Sequence, residues 1–356
     1  MALSTWRVWS AVTVLCIASF AMVTSEFAPI GLLSQISADL AQEPARVGLS
    51  VTLYAWIGAV SGLLANSLSR WIARKPLMIA LMLMLAASNA LSAIAPEFAA
   101  LLGARALGAL AHGVFWATVA ATATLIAPAR QMGLATSIVL GGITLATVMG
   151  VPLVNLVGQY DGWRTAFACL ALLCVASAGA IALVVPDLGL VAAAPGTGYV
   201  AVLRRRDLLI TFVITGLTAA AHFAAYTFVE PFISQVPDVT PWLVAALLFV
   251  FGAAGFLGNL LSAIFIDRHL KPFILLALIA MAGALLTLGL LGPELNLLAV
   301  AALLMVWGRC HLGTVYRSAD LGVEHRRRPY RSGHGPAYGS AQWRDRPGGD
   351  HRRWSA

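Results

Sequence analysis

Charge is scarce in this 356-residue chain. Only 11% of its residues are Asp, Glu, Lys or Arg, while 60% are apolar. A soluble protein carries about 25% charged residues. The shortage, together with a mean hydropathy of +0.85, excludes a soluble globular domain and predicts an integral membrane protein. Lysine occurs only at positions 75 and 271. The four cysteines, Cys16, Cys169, Cys174 and Cys310, have no metal-ligand spacing and read as small packing residues. There is no Gly-rich phosphate loop with Lys, no paired-aspartate motif and no His/Cys cluster. That excludes an ATP-driven pump within this chain and leaves no enzyme signature, and no cofactor or metal is expected. Short alternating strands are also missing, which argues against a β-barrel.

Apolar runs of bilayer-spanning length recur. The pattern predicts helices over 8–34, 47–68, 76–95, 98–127, 132–158, 164–186, 208–235, 241–265 and 272–291, with a shorter tenth over 295–308. The first run is longer than a signal-peptide core and lacks a small-residue cleavage pattern, so it reads as a retained span. With the N-terminus inside, the inner segments hold Arg7, Arg70, Arg74, Lys75, Arg130, Arg204, Arg205, Arg206, Arg268 and Lys271. The outer segments hold only Arg46 and Arg164, which predicts a cytoplasmic N-terminus in a bacterial inner membrane. The net charge of +8 sits mostly in the tail: residues 309–356 carry +6. It does not predict a nucleic-acid partner.

Segments that close the first helix, end the second and start the third recur in the second half. "SGLLANSL" at 61–68 resembles "AGFLGNLL" at 254–261, "RKPLMIAL" at 74–81 resembles "LKPFILLAL" at 270–278, and "SQI" at 34–36 matches "SQV" at 234–236. Two parallel helix bundles follow, a plan found in transporters. The first covers 1–186, a cytoplasmic linker 187–207, an incomplete second bundle 208–308 and an Arg/Gly-rich tail 309–356.

Ionisable residues at membrane depth are expensive and mark function by default, at about 2.5–3.5 kcal/mol for a carboxylate. Two acids fall inside the spans, Glu26 on the first helix and Glu230 on the seventh. Each reads as a cavity-facing proton site, and the plainer reading is a structural pair or a helix-end residue. His222, Tyr226 and Glu230 follow one another at i, i+4 and i+8 and so share a helix face. Arg105, His112 and Trp116 make a similar stripe on the fourth helix, and both stripes are expected to line a cavity. Flat aromatic faces beside hydrogen-bonding groups suit a sugar and equally a drug. Pro29 and Pro231 lie close to the two acids and can bend their helices. On the fifth helix Gly141, Gly142, Gly150, Pro152 and Gly158 read as a flexible seam of close packing.

As a set these residues resemble the Major Facilitator Superfamily in its drug–proton antiporter branch. "TSEFAPIGLL" at 24–33 resembles that branch's first-helix motif, with Glu26 at the acidic position. "VMGVPLVNLVGQYDGWRTAF" at 148–167 resembles the fifth-helix antiporter motif followed by Gly-Trp-Arg, and Arg105 fits the fourth-helix arginine. "AHGVFW" at 111–116 and "AHFAAYTFVEPF" at 221–232 resemble bacterial sugar efflux transporters of the arabinose and thiogalactoside type. The resemblance implies an all-α major facilitator fold of two six-helix repeats. It also implies export of a sugar-like solute by proton antiport, as a monomer, with Arg74 and Lys75 of the loop between helices two and three helping to gate it. Multidrug or nucleoside antiport is the alternative, and a non-transporting sensor or an inactive product is a further one. There are departures: "GLLANSLSRWIARK" has no acid in that loop, and Val154 replaces a glycine. The resemblance implies twelve spans, of which nine and a fraction are legible. The Arg-, Gly-, His- and Pro-rich end, without Lys, predicts a frameshifted reading, with a genuine cytoplasmic tail as the alternative.

Overall fold

The structure is a computed structural model that describes residues 5–189 and 206–310. Most of the expected linker and the tail beyond Cys310 lie outside the described residues. Every regular element within them is helical. In order these are α1 (Thr5–Gly31), α2 (Leu33–Asp39), α3 (Pro44–Gly62), α4 (Ala65–Trp71), α5 (Arg74–Ala93), α6 (Phe98–Ile126), α7 (Met132–Leu145), α8 (Val151–Asp161), α9 (Trp163–Val184), α10 (Arg206–Tyr226), α11 (Val229–Ser234) and α12 (Pro241–Leu291). The last is α13 (Leu297–Cys310). Eight stretches are long and apolar enough to cross a membrane, and α13 is a shorter apolar helix.

Four expected single spans are interrupted. The first ends at Gly31 and restarts as α2 beyond Leu32, three residues after Pro29. The second gives way at Leu63 and Leu64 between α3 and α4. The fifth carries a π-helical turn, Ala146–Gly150, between α7 and α8. Pro152 lies just beyond this turn and has no N–H to give the preceding carbonyls, and a π turn is a common place for a helix to absorb such a defect. The seventh stops at Tyr226 and resumes at Val229.

The loop expected between the eighth and ninth spans is not a loop. α12 runs unbroken for 51 residues with Pro272 inside it, about 77 Å at 1.5 Å per residue. The two expected apolar stretches survive within it as Pro241–Leu261 and Ile274–Leu291. No Gly or Pro interrupts 262–271, so no strong helix breaker stops the helix within the charged "DRHLK". The tenth span also differs from expectation: α13 continues through Arg309 and Cys310.

α1 is packed on most of its faces, from Val8 to Gly31, which is the place of a structural helix. Glycines of the fifth span face it. An added Cβ at Gly142 would come within 2.8 Å of the Ser19 Cβ, and one at Gly150 within 3.1 Å of the Thr24 Cβ. One apolar cluster joins the two halves, with Val23, Phe27 and Ile30 of α1 meeting Tyr226, Val229, Leu248 and Phe251. α1 is therefore both the core of the first bundle and part of the seam with the second.

The "GWR" stretch has a structural role. Gly162 has φ +85°, a left-handed conformation that favours glycine, and it turns the chain from α8 into α9. Trp163 Nε1 donates to the Asp39 carboxylate at 3.2 Å. Arg164 pairs with the same carboxylate and donates to the Ala95 carbonyl at 3.0 Å. Three helix ends are clamped together, and the hydrogen bond from Arg164 holds the Asp39 carboxyl below its ordinary pKa.

Candidate functional site

The site begins with a defect in α1. A proline at position 29 has no N–H to offer the carbonyl four residues back, that of Ser25. A buried carbonyl without a donor costs about 1–3 kcal/mol. Arg105 of α6 supplies the donor: Nη1 reaches the Ser25 carbonyl at 2.7 Å and Nη2 the Glu26 carbonyl at 2.9 Å. Its guanidinium stacks on the Tyr54 ring of α3 at 4.2 Å and lies 5.9 Å from that of Phe167. A second orphan, the carbonyl of Gly31 where α1 ends, accepts the Asn155 amide of α8 at 2.7 Å. The bend in α1 is thus held from outside the helix by two polar side chains.

Arg105 does not line a cavity as expected. It is 1% exposed, because both its nitrogen contacts are to the backbone of α1. The Asn89 amide lies on the other side of the same bend and donates to the Ser25 hydroxyl at 2.8 Å, with the Cys174 thiol 3.6 Å away.

Glu26 projects from the held segment toward a cavity of about 710 Å³ between α1, α3 and α10. Its carboxylate lies 3.6 Å from His112 Nε2, an ion pair whenever the imidazole is protonated. The His112 ring meets Tyr54 edge-on at 5.3 Å and Trp116 at 6.0 Å. Glu26 is the one ionisable group in the described wall of that cavity. Other hydrogen-bonding side chains there are Thr52, Trp56 and Thr227; the rest is Ala, Gly, Val, Leu and Phe.

The expected stripe of His222, Tyr226 and Glu230 is split. His222 and Tyr226 stack on each other at 5.4 Å and pack with Phe251 and Trp307, and Trp307 Nε1 donates to His222 Nδ1 at 3.2 Å. They belong to a buried aromatic core and not to the cavity wall, which α10 makes with Ala219, Ala220, Phe223 and Ala224. Position 222 is one residue from 223, so it points about 100° around the helix. Glu230 lies past the break at 227–228 and is fully buried, outside the cavity wall. The register set by Ser34 and Ser234 places Tyr226, not Glu230, opposite Glu26 in the repeat. Trp116 lies among core residues of both halves.

The remaining expected residues sit away from this cavity. Gly150 and Pro152 flank the junction of the π turn with α8. Arg74 Nη1 donates to the Thr118 carbonyl at 3.3 Å, and Lys75 lies 3.6 Å from Asp187. Tyr54 and Asn89 were not singled out in the sequence. Neither Tyr54 nor Asn89 has a charged residue three or four positions away, so neither stands out as part of a polar stripe.

The comparisons with known proteins bear on the whole arrangement. The fold is similar to that of a point mutant of the nucleoside transporter NupG, with 15% identity over 88% of this chain and 82% of that one and a TM-score of 0.71. It is similar to a bacterial homolog of the human lysosomal transporter Spinster in an inward-facing, unoccupied conformation, with 17% identity, 90% and 75% coverage and a TM-score of 0.66. The xylose transporter XylE from E. coli, in a partially occluded inward-open conformation, matches at 13% identity with 90% and 85% coverage and a TM-score of 0.63. The sequence profile of the Major Facilitator Superfamily matches residues 15–318. With all-helical, multi-pass architecture and this profile in agreement, the chain belongs to the Major Facilitator Superfamily and is a membrane transporter, not an enzyme.

Proposed function

We propose that this transporter exports a small solute in exchange for protons, and that Glu26 carries the proton. The observation behind the reading is a lone carboxylate in the wall of a 710 Å³ cavity, 3.6 Å from a histidine and on a helix with a proline three residues further on. A neutral glutamic acid suits a dry cavity and a charged one suits a wet cavity or a cationic neighbour. Proton occupancy therefore biases which state the protein prefers, and such a difference in interaction is what coupling requires. An inward proton gradient supplies about 1.4 kcal/mol per pH unit and about 2.3 kcal/mol per 100 mV.

The resemblance to sugar efflux transporters favours a sugar or sugar-like solute. The cavity wall refines this. With few hydrogen-bonding side chains and an Ala- and Phe-rich surface, it suits a glycoside with an apolar substituent better than a free sugar, whose hydroxyls need partners. The same wall favours, as a second reading, an apolar drug-like or nucleoside substrate. Counterflow in proteoliposomes containing the full chain separates them. A panel of free sugars, thioglycosides with alkyl groups, nucleosides and apolar amines is expected to show fastest exchange with the thioglycosides. Fastest exchange with free pentoses would remove the apolar-substituent reading, and no exchange with any member would favour a non-transporting protein.

The same reading places the chain in a bacterial inner membrane as a monomer with two bundles around a 187–207 linker and a cytoplasmic N-terminus. Arg130 and Asp161 are exposed at opposite ends of the α7–α8 span. Single cysteines there are expected to react oppositely with a membrane-impermeant thiol reagent added to intact cells, Asp161→Cys labelling and Arg130→Cys not. The reverse pattern would invert the orientation.

A further inference from the structure

Glu230 has a place that proton coupling does not account for. It is fully buried in the first turn of α11. Its two oxygens face the two halves of the molecule. Oε2 accepts the backbone N–H of Ser34, 196 residues away, at 3.0 Å. Oε1 accepts the hydroxyl of Ser234 at 3.0 Å. Ser34 and Ser234 are the first residues of the repeated "SQI" and "SQV", so one carboxylate joins equivalent points of the two repeats.

The Ser34 N–H is available for a chain reason. α1 stops at Gly31, Leu32 leaves helical geometry at φ −118° and ψ 10°, and α2 starts afresh at Leu33. The opening N–H groups of a new helix have no partner within it. The break that separates α1 from α2 thus makes a donor, and the break between α10 and α11 brings the acceptor to it. Ile36 of α2 and Ile233 of α11 are fully buried nearby in the chain, so the bond closes an otherwise apolar junction where both first helices finish.

We propose that Glu230 is a positioning residue that latches the two halves together at this end of the bundle, so that breaking its bond to Ser34 is part of opening that end. A hydrogen bond shielded from water is directional, and its buried donor is costly to leave unpaired. A latch made to a backbone donor tolerates side-chain change at Ser34 but not loss of the acceptor at 230. The inference needs only two states that differ at this end, and does not depend on the solute or on Glu26.

The test is a distance measurement on the full chain in lipid nanodiscs. Spin labels at Ala38 and Gln235, both exposed, report the separation of α2 and α11. Glu230→Ala is expected to add a longer-distance population, changing the closed-to-open ratio by on the order of tenfold to a hundredfold. Glu230→Gln keeps an acceptor oxygen and is expected to fall between Ala and the unsubstituted protein, and to retain proton-driven accumulation. If Glu230→Ala does not insert, the Gln variant carries the test through its partial shift. Unchanged distances in the variants that insert would overturn the latch. So would a Gln variant that keeps exchange but loses proton-driven accumulation without a distance change, which would return Glu230 to proton coupling.

Discussion

Glu26→Gln is expected to abolish accumulation against a gradient while leaving exchange of solute down its gradient intact. Glutamine has the shape of a protonated glutamic acid and no proton to release, so the protein is held in its loaded state. The coupling then disappears because the two states no longer differ in charge at position 26. Binding should survive, since the apolar wall of the cavity is unchanged and the amide keeps hydrogen-bonding capacity toward His112 and the solute. The measurement pairs two assays on the same proteoliposomes, counterflow without a pH gradient and uptake driven by one. The expected result is near-normal counterflow and loss of the pH-driven component. Gradient-driven accumulation in the Gln variant would show that the proton is carried elsewhere. Loss of both activities would show that the carboxylate is needed for binding itself.

Arg105→Ala is expected to be the most destabilising single change in the first bundle, by roughly 2–5 kcal/mol, because the buried Ser25 carbonyl loses its donor, the Glu26 carbonyl loses a further contact and a stacked guanidinium leaves a void against Tyr54. A test specific to this origin uses the proline. Pro29→Ala restores an N–H that can reach the Ser25 carbonyl within the helix, so the carbonyl orphaned by the loss of Arg105 recovers a partner. The double variant Arg105→Ala, Pro29→Ala should then be less destabilised than the sum of the singles, with a coupling of about 0.5–3 kcal/mol. Thermal unfolding in detergent of the four proteins closes the cycle. Strict additivity would mean that Arg105 stabilises the bundle without reference to the bend in α1. The same double variant should show reduced transport, since its first helix is straighter than the one that aims Glu26 at the cavity.

The membrane class, most of the spans and the presence of a carboxylate within the first helix could all be read from one-dimensional pattern. Hydropathy is a local property: a run of twenty apolar residues must be buried in lipid or protein wherever it lies, and Glu26 is conspicuous because its neighbours are apolar. Pro29 announces a bend for an equally local reason, its missing N–H. What answers that bend is not local. The donor comes from Arg105, about eighty residues away, and nothing in the spacing of the fourth-helix stripe distinguishes a guanidinium that lines a cavity from one that clasps a neighbouring backbone. His222 and Tyr226 share a face as their spacing requires, but which face meets the cavity depends on how α10 is rotated against α1 and α12. Glu230 left the stripe because the helix breaks at 227–228, and its Ser34 partner exists only because α1 breaks as well. Helix periodicity decides which side chains travel together. Only the packing of one bent helix against another decides what they touch, because an orphaned backbone group takes whichever donor or acceptor the tertiary fold brings within reach.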